Sequence, residues 1–187
     1  MPIKIFIDPG HNPRGVNTGA VGNGLNEADV TYRVGTSLKN LLLNNGNFSV
    51  RMSRNTPTEV LGTSNQGSLT ERVRRANSWG ADYFISLHTN AVNNPQANGT
   101  EIFTYRLSGP AYNMAVPILS SIVNRLDMRN RGIKQGNTLY VLRRTYMPAL
   151  LIELGFITNP SDAYKLDNNP FGFANAIYQG ILEYFGL

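Results

Sequence analysis

Short apolar runs alternate along the chain with polar, glycine-rich stretches and with segments of helical period. Ile3 to Asp8 is an apolar run that stops at Asp8-Pro9-Gly10, which predicts a short strand ending in a turn. Residues 11–26 carry Gly15, Gly19, Gly22 and Gly24 among asparagines, a loop too long for a plain connector. Val30, Val34, Leu38, Leu41 and Leu42 then recur at helical spacing, and Asn44-Asn45-Gly46 offers a left-handed stop. Phe48 to Ser53 predicts a second strand, followed by a polar, turn-rich stretch over 55–67. Ser68-Leu69-Thr70-Glu71 matches a capping box, predicting a helix that opens at Ser68 with Leu69, Val73 and Ala76 on one face.

Asp82 to His88 and Gly99 to Tyr105 predict two more strands. A helix is expected from Pro110 to Asp127, its inner face Ala111, Ala115, Ile118, Ile122 and Leu126, with Pro117 set to kink or split it. Thr138 to Leu142 and Ala149 to Ile152 are expected as strands. Asn169-Pro170 should open a last helix, with Phe173, Ile177, Ile181 and Phe185 inward. Strands alternate with helices, and most strands are continuous apolar runs. The expected fold is therefore α/β: one domain over residues 1–187, with a mixed, mostly parallel sheet of about six strands and helices on both faces.

Composition narrows the chemistry. The 187 residues suit one domain with an ordinary core. No apolar run approaches the roughly 18 residues of a membrane span, so no membrane insertion is expected. The first residues lack a basic segment followed by a long apolar one, so no signal peptide is visible. There is no cysteine, which excludes disulfides, thiol catalysis, zinc fingers and iron–sulfur clusters. There are two histidines, His11 and His88, so a three-histidine metal site is impossible.

In a sheet of this kind functional groups collect at the carboxyl ends of the strands. His11 follows the first strand, His88 closes the strand over 83–87, Glu153 closes Ala149–Ile152, and Glu27 opens the first helix. Two imidazoles and two carboxylates suit hydrolysis at zinc. His11, His88 and Glu27 would form a three-ligand shell with one open position, and Glu153 would move the proton of the attacking water. The ligands are far apart in sequence and lack the local HExxH pattern. Asp8 and Asp29 are rival ligands by residue type, and a lone histidine is often only a hydrogen-bonded core or surface residue.

A longer set of residues carries a resemblance. It comprises Ile7-Asp8-Pro9-Gly10-His11, Gly19-Ala20-Val21-Gly22 before Glu27, Ser53-Arg54, Arg72 with Ala76-Asn77, and 81–91 from Ala81 to Ala91 around His88. Gly99-Thr100-Glu101, Val141-Leu142-Arg143, 148–159 around Glu153 and the segment Ala174–Ile177 complete it. In this order the sequence resembles the zinc-dependent N-acetylmuramoyl-L-alanine amidases of the amidase 3 type, found in bacterial autolysins and phage endolysins. The resemblance implies His11, Glu27 and His88 as ligands of Zn2+ and Glu153 as the catalytic glutamate. Asn90 and Arg143 are candidate substrate contacts, and Thr89 and Thr158 weaker ones. Gly10 is expected to permit the turn that presents His11. His11 is followed by Asn12-Pro13 where such enzymes commonly have Gly-Gly.

The expected reaction is hydrolysis of the amide between N-acetylmuramic acid and the L-alanine of the stem peptide. The expected partner is bacterial peptidoglycan, with a C-terminal wall-binding domain conceivable beyond Leu187. An enzyme made in the cytoplasm without a leader fits a phage endolysin, and a trimmed secreted autolysin or a sporulation amidase would run the same reaction. Other zinc cell-wall hydrolases, such as a D-Ala-D-Ala carboxypeptidase or a deacetylase, are the alternative enzymes, and a non-cutting peptidoglycan-binding module the alternative class. The formal charge of +5 favours anionic wall polymers. The basic residues are scattered and form no nucleic-acid-binding pattern, so no nucleic-acid partner is expected.

Overall fold

A computed structural model describes residues 1–187. The chain runs β1 (Ile3–Pro9), β2 (Val21–Gly22), β3 (Leu25–Asn26), α1 (Glu27–Asn45), β4 (Phe48–Met52) and α2 (Asn65–Trp79). It continues through β5 (Tyr83–Asn90), β6 (Thr100–Thr104), α3 (Gly109–Leu126), β7 (Asn130–Gln135) and α4 (Tyr140–Arg144). It ends in β8 (Ala149–Phe156), α5 (Pro160–Asn168) and α6 (Pro170–Phe185). Six strands form one sheet in the order β4-β1-β5-β8-β6-β7, parallel except for the β6–β8 pair; β2 and β3 make a small separate hairpin.

Side-chain alternation divides the sheet into two faces. Ile5, Ile7, Ile85, Leu87, Leu150, Ile152 and Leu154 pack under α1, α3 and α6 in the larger core. Phe6, Phe84, Ala149 and Leu151 pack under α2 and α4 in the smaller one. On this second face the strands change character as they run: Phe6 gives way to Asp8, Phe84 to Ser86 and His88, and Leu151 to Glu153. The larger core anchors the strands from behind, and the polar ends of the second face are free for chemistry.

The α/β fold with helices on both faces is the one expected, but several local expectations change. Residues 138–142 do not form a strand; Tyr140–Arg144 is the short helix α4, whose Val141 and Leu142 bury against the second face. An apolar run of this length fits either state, and the packing decides. The α2 helix opens at Asn65, capped by the Ser64 hydroxyl, which accepts from Gly67 N at 3.0 Å. Ser68 is therefore inside the helix, and Glu71 pairs with Arg74 and Arg75 instead of closing a capping box. Pro117 does not split α3, which stays one element from Gly109 to Leu126. Strands β5 and β8 run past His88 and Ile152 to Asn90 and Phe156, so His88 and Glu153 lie within strands. No helix is long and apolar enough to cross a membrane.

Candidate metal centre

Three elements meet at the carboxyl ends of β1 and β5. His11 stands two residues past β1, Glu27 is the first residue of α1, and His88 lies on β5. One ligand atom from each lies within 4.8 Å of the others. His11 Nε2 is 3.3 Å and His88 Nδ1 3.1 Å from the same Glu27 Oε1, and the two rings stand edge to face at 83°.

Local structure makes this convergence possible. His11 has φ 65°, a left-handed conformation rare for a side chain of its size and concentrated at functional sites. Gly10 does not take that conformation; it serves close approach, since a Cβ there would lie 2.5 Å from His88 Cε1 and 2.6 Å from Leu87 O. Arg72 fixes the strained segment from beneath. Its guanidinium, only 1% exposed, donates to Asp8 Oδ1, Pro9 O and His11 O, each at 2.7 Å. Asp8, also bonded by the Ser86 hydroxyl at 2.9 Å, is thus an anchor and not a ligand, and Asp29 is exposed on α1.

Asn17 orients the His11 ring. Its amide nitrogen donates to Ser68 Oγ at 3.1 Å, which leaves Oδ1 to accept from His11 Nδ1 at 3.0 Å. With Nδ1 held as a donor by Asn17, the ring presents Nε2 to Glu27: when protonated it donates to the carboxylate, and when deprotonated it is the ligand nitrogen, the arrangement by which second partners set metal-binding tautomers. The Gly-rich loop over 11–26 closes on Glu27: Ala20 N donates to Oε2 and Thr89 N to Oε1, both at 2.9 Å. Gly19 has φ 76°, and a Cβ there would lie 2.6 Å from His11 Cγ. Asn12, in place of the expected glycine, is fully buried and clamps this loop to Leu61 through bonds to its carbonyl and amide, both at 3.0 Å.

Burial raises the Glu27 pKa, but hydrogen bonds and charge from both histidines outweigh it and hold the carboxyl far below its usual range. His11 shifts upward because its bond to Glu27 and that charge outweigh burial. An N, N, O donor set of two half-buried imidazoles and a buried carboxylate, already deprotonated at the carboxylate and backed by Asn17, fits zinc.

Glu153 lies beside this set in the sheet, paired in register with His88 on β5 and Glu101 on β6. Its Oε2 is buried with no hydrogen-bond partner. Burial, then the charges of Glu27 and Glu101, push its pKa up to about 8. Glu101, by contrast, is lowered: Lys134 at 2.6 Å, Arg131 at 2.8 Å and Asn90 at 3.1 Å overcome its burial. A cavity of about 150 Å³ opens against both imidazoles, walled by Leu69, Leu139, Val141 and Leu151. Larger hollows, of about 440 and 450 Å³ near Trp79 and Tyr146, do not include the ligands.

Such an assembly can hold a dication with an open coordination position and move a proton next to it. A family model described as N-acetylmuramoyl-L-alanine amidase matches residues 5–183. The chain belongs to the N-acetylmuramoyl-L-alanine amidase family. Among the amidase's relatives, the amidase CwlM of Bacillus licheniformis is 41% identical over 189 residues, covering 99% of this chain and 70% of its own. The sporulation-specific amidase of Bacillus subtilis is 38% identical over 185 residues, with coverages of 95% and 68%. The crystal structure of an N-acetylmuramoyl-L-alanine amidase from Clostridium difficile 630 superposes with a TM-score of 0.87 at 33% identity, covering 99% and 97% of the two chains.

Of the residues singled out in the amidase's sequence, the structure brings His11, Glu27, His88 and Glu153 together and bonds Asn90 to Glu101 beside them. Arg143 is elsewhere: it is exposed on α4 and lines a hollow with Tyr105, Arg106 and Met147 that contains none of the ligands. Thr158 accepts a loop bond from Val92 N at 3.3 Å. The supporting roles of Asn17, Arg72 and Glu101 had no signal in spacing, although a buried Asp8 in an apolar run already demands a cationic partner.

Proposed function

We propose that the protein is a zinc-dependent peptidoglycan hydrolase, a single catalytic domain over 1–187 that cuts the amide between N-acetylmuramic acid and L-alanine of the stem peptide. The observation that carries this reading is the set His11, Glu27, His88 with Glu153 next to it in register, its Oε2 unpartnered. His11 Nε2, Glu27 and His88 Nδ1 would hold the metal. When bound, zinc supplies Lewis-acid polarisation of the scissile carbonyl and acidifies a water.

The chain's own residues do the rest. Glu153 takes the proton of the attacking water on Oε2 and gives it to the departing amine of L-alanine. Burial and the neighbouring carboxylates raise its pKa, which keeps that proton available for delivery to the amine. Thr89 N and Ala20 N fix both Glu27 oxygens, so the ligand cannot swing into Glu153's place. Asn90 is the nearer of the two candidate substrate contacts, and the placement of Arg143 argues against a contact at the reacting bond.

Both a phage endolysin and a bacterial autolysin or sporulation amidase would use this site on a bacterial wall. The 38% identity to a sporulation-specific amidase supports the second role. The test is product analysis on purified walls and on a synthetic muramoyl peptide. We expect a new amino terminus on L-alanine, abolished by chelation and restored by zinc. A new D-alanine amine or released acetate would instead indicate another zinc hydrolase, and no product would point to a binding module.

A further inference from the structure

The metal ligands and Glu153 are one end of a polar row that crosses the sheet. In register, His88 on β5 neighbours Glu153 on β8, which neighbours Glu101 on β6, and β6 is bordered by the edge strand β7. From β7, Arg131 and Lys134 both reach Glu101 Oε2, at 2.8 and 2.6 Å. Asn90 occupies Glu101 Oε1. Two cations thus share one carboxylate, so the far end of the row has one positive charge in excess. Arg131 is the more tied-down of the two: it also bonds Asn98 O and stacks over Phe156 at 4.9 Å. The Lys134 side chain is 42% exposed and has ammonium protons left for a ligand.

We propose that Lys134, braced by Arg131 and Glu101, is a carboxylate-binding subsite for the stem peptide and sets the direction in which substrate lies across the cleft. This rests on the reaction proposed above. In the substrate of that reaction the N-acetylhexosamine sugars are neutral, and the lactyl carboxyl is consumed in the scissile amide. All remaining carboxylates belong to the peptide half. An excess cation therefore recognises the peptide side, so the peptide runs from Glu153 toward β7 and the glycan leaves toward the 11–26 loop. The reach is consistent: from β8 to β7 is two strand spacings, about 10 Å, and an extended peptide covers that in about three residues. A carboxylate on the second or third residue would meet Lys134.

The experiment compares the zinc-loaded enzyme on two synthetic muramoyl tripeptides, one with free carboxylates and one with every carboxylate converted to carboxamide. The readout is the ratio of kcat/KM between them, with KM and kcat resolved. The native enzyme should favour the free acid, mainly through KM, and the preference should fade with added salt. Lys134→Gln should lower the ratio roughly fivefold or more, as expected for a lost charge-assisted bond. Lys134→Arg should retain most of it, and Arg125→Gln, an exposed change on α3, should leave it alone. A native ratio near 1, or a Lys134→Gln enzyme with the native ratio, overturns the subsite. Cleavage of neither compound by native enzyme overturns the proposed reaction itself, and the subsite with it.

Discussion

Removing the Arg72 side chain as Arg72→Met should destabilise the protein strongly and loosen the metal centre. Arg72 and Asp8 are each 1% exposed and 2.7 Å apart, and the same guanidinium bonds Pro9 O and His11 O. Methionine fills much of the volume but leaves Asp8 ionised with only hydroxyl partners and strips two carbonyls of their donor. Breaking a buried pair on one side costs about 3–5 kcal/mol, and each kcal/mol moves the midpoint by about 2–4 °C in a domain of this size. The expected fall in Tm is roughly 6–20 °C by calorimetry at pH 7. The pH dependence identifies the cause. Burial raises the Asp8 pKa, but the charge of Arg72 and bonds from Ser53 and Arg72 outweigh it and lower it. Such a carboxylate contributes stability above its unfolded pKa of about 3.9 and loses it as pH falls through the lower folded value. The deficit of the variant should be full at pH 7 and shrink below about pH 4. Because His11 loses its backbone tether, zinc affinity by chelator competition should also drop. A midpoint within about 2 °C of native, or a deficit indifferent to pH, would show that the Arg72–Asp8 pair does not hold this segment.

Other outcomes follow from the same geometry. Asn17→Ala removes the nearer of two acceptors for His11 Nδ1 and leaves the Asn17 carbonyl at 3.3 Å, so zinc affinity should fall about 10-fold while the fold persists by circular dichroism. Gly19→Ala forces a Cβ onto His11 and strains a φ of 76°, and should impair zinc binding more than Gly15→Ala, whose Cβ meets open space at a similar φ. Either His11→Ala or His88→Ala should abolish zinc binding measured by metal analysis, since the chain has no third histidine to substitute. In zinc-stripped protein, Glu153 is raised to about 8, so it resists ionisation in the fold and native stability should fall as pH climbs from about 4.5 toward 8. Glu153→Gln should remove that part of the slope in thermal melts of the stripped protein.

How much of this was legible in the sequence depended on how apolar each element is. β1, α1, β4 and α6 have long apolar faces and bounded ends, and they fold where the spacing puts them. β7, Asn-Arg-Gly-Ile-Lys-Gln, has one apolar residue because it is an edge strand with little to bury, so periodicity cannot find it. α5 had a usable signal, Asn159-Pro160, the same pair that opens α6 at Asn169-Pro170. His11, His88 and Glu153 stand out in the sequence as polar groups at apolar runs and Glu27 as the acid that opens a helix after the Gly-rich loop, but residue type leaves Asp8 and Asp29 as rivals, and only the family resemblance chooses among them. The apolar run predicts a strand that ends at Glu153; Glu153 lies inside β8, where the sheet face turns from apolar Leu151 to the polar row. Arg72 and Asn17 were not legible as supports because their partners lie 64 and 6 residues away and are chosen only by folding.

In the proposed site three residues hold the metal while a fourth moves the proton. The most direct measurement takes Glu153→Gln and reads zinc content and muramoyl-L-alanine amide hydrolysis on the same preparation. A native zinc complement is expected, with hydrolysis reduced roughly 100- to 10,000-fold, the range of a lost general acid–base group. Hydrolysis within about a factor of three of native, or loss of the zinc, would contradict it.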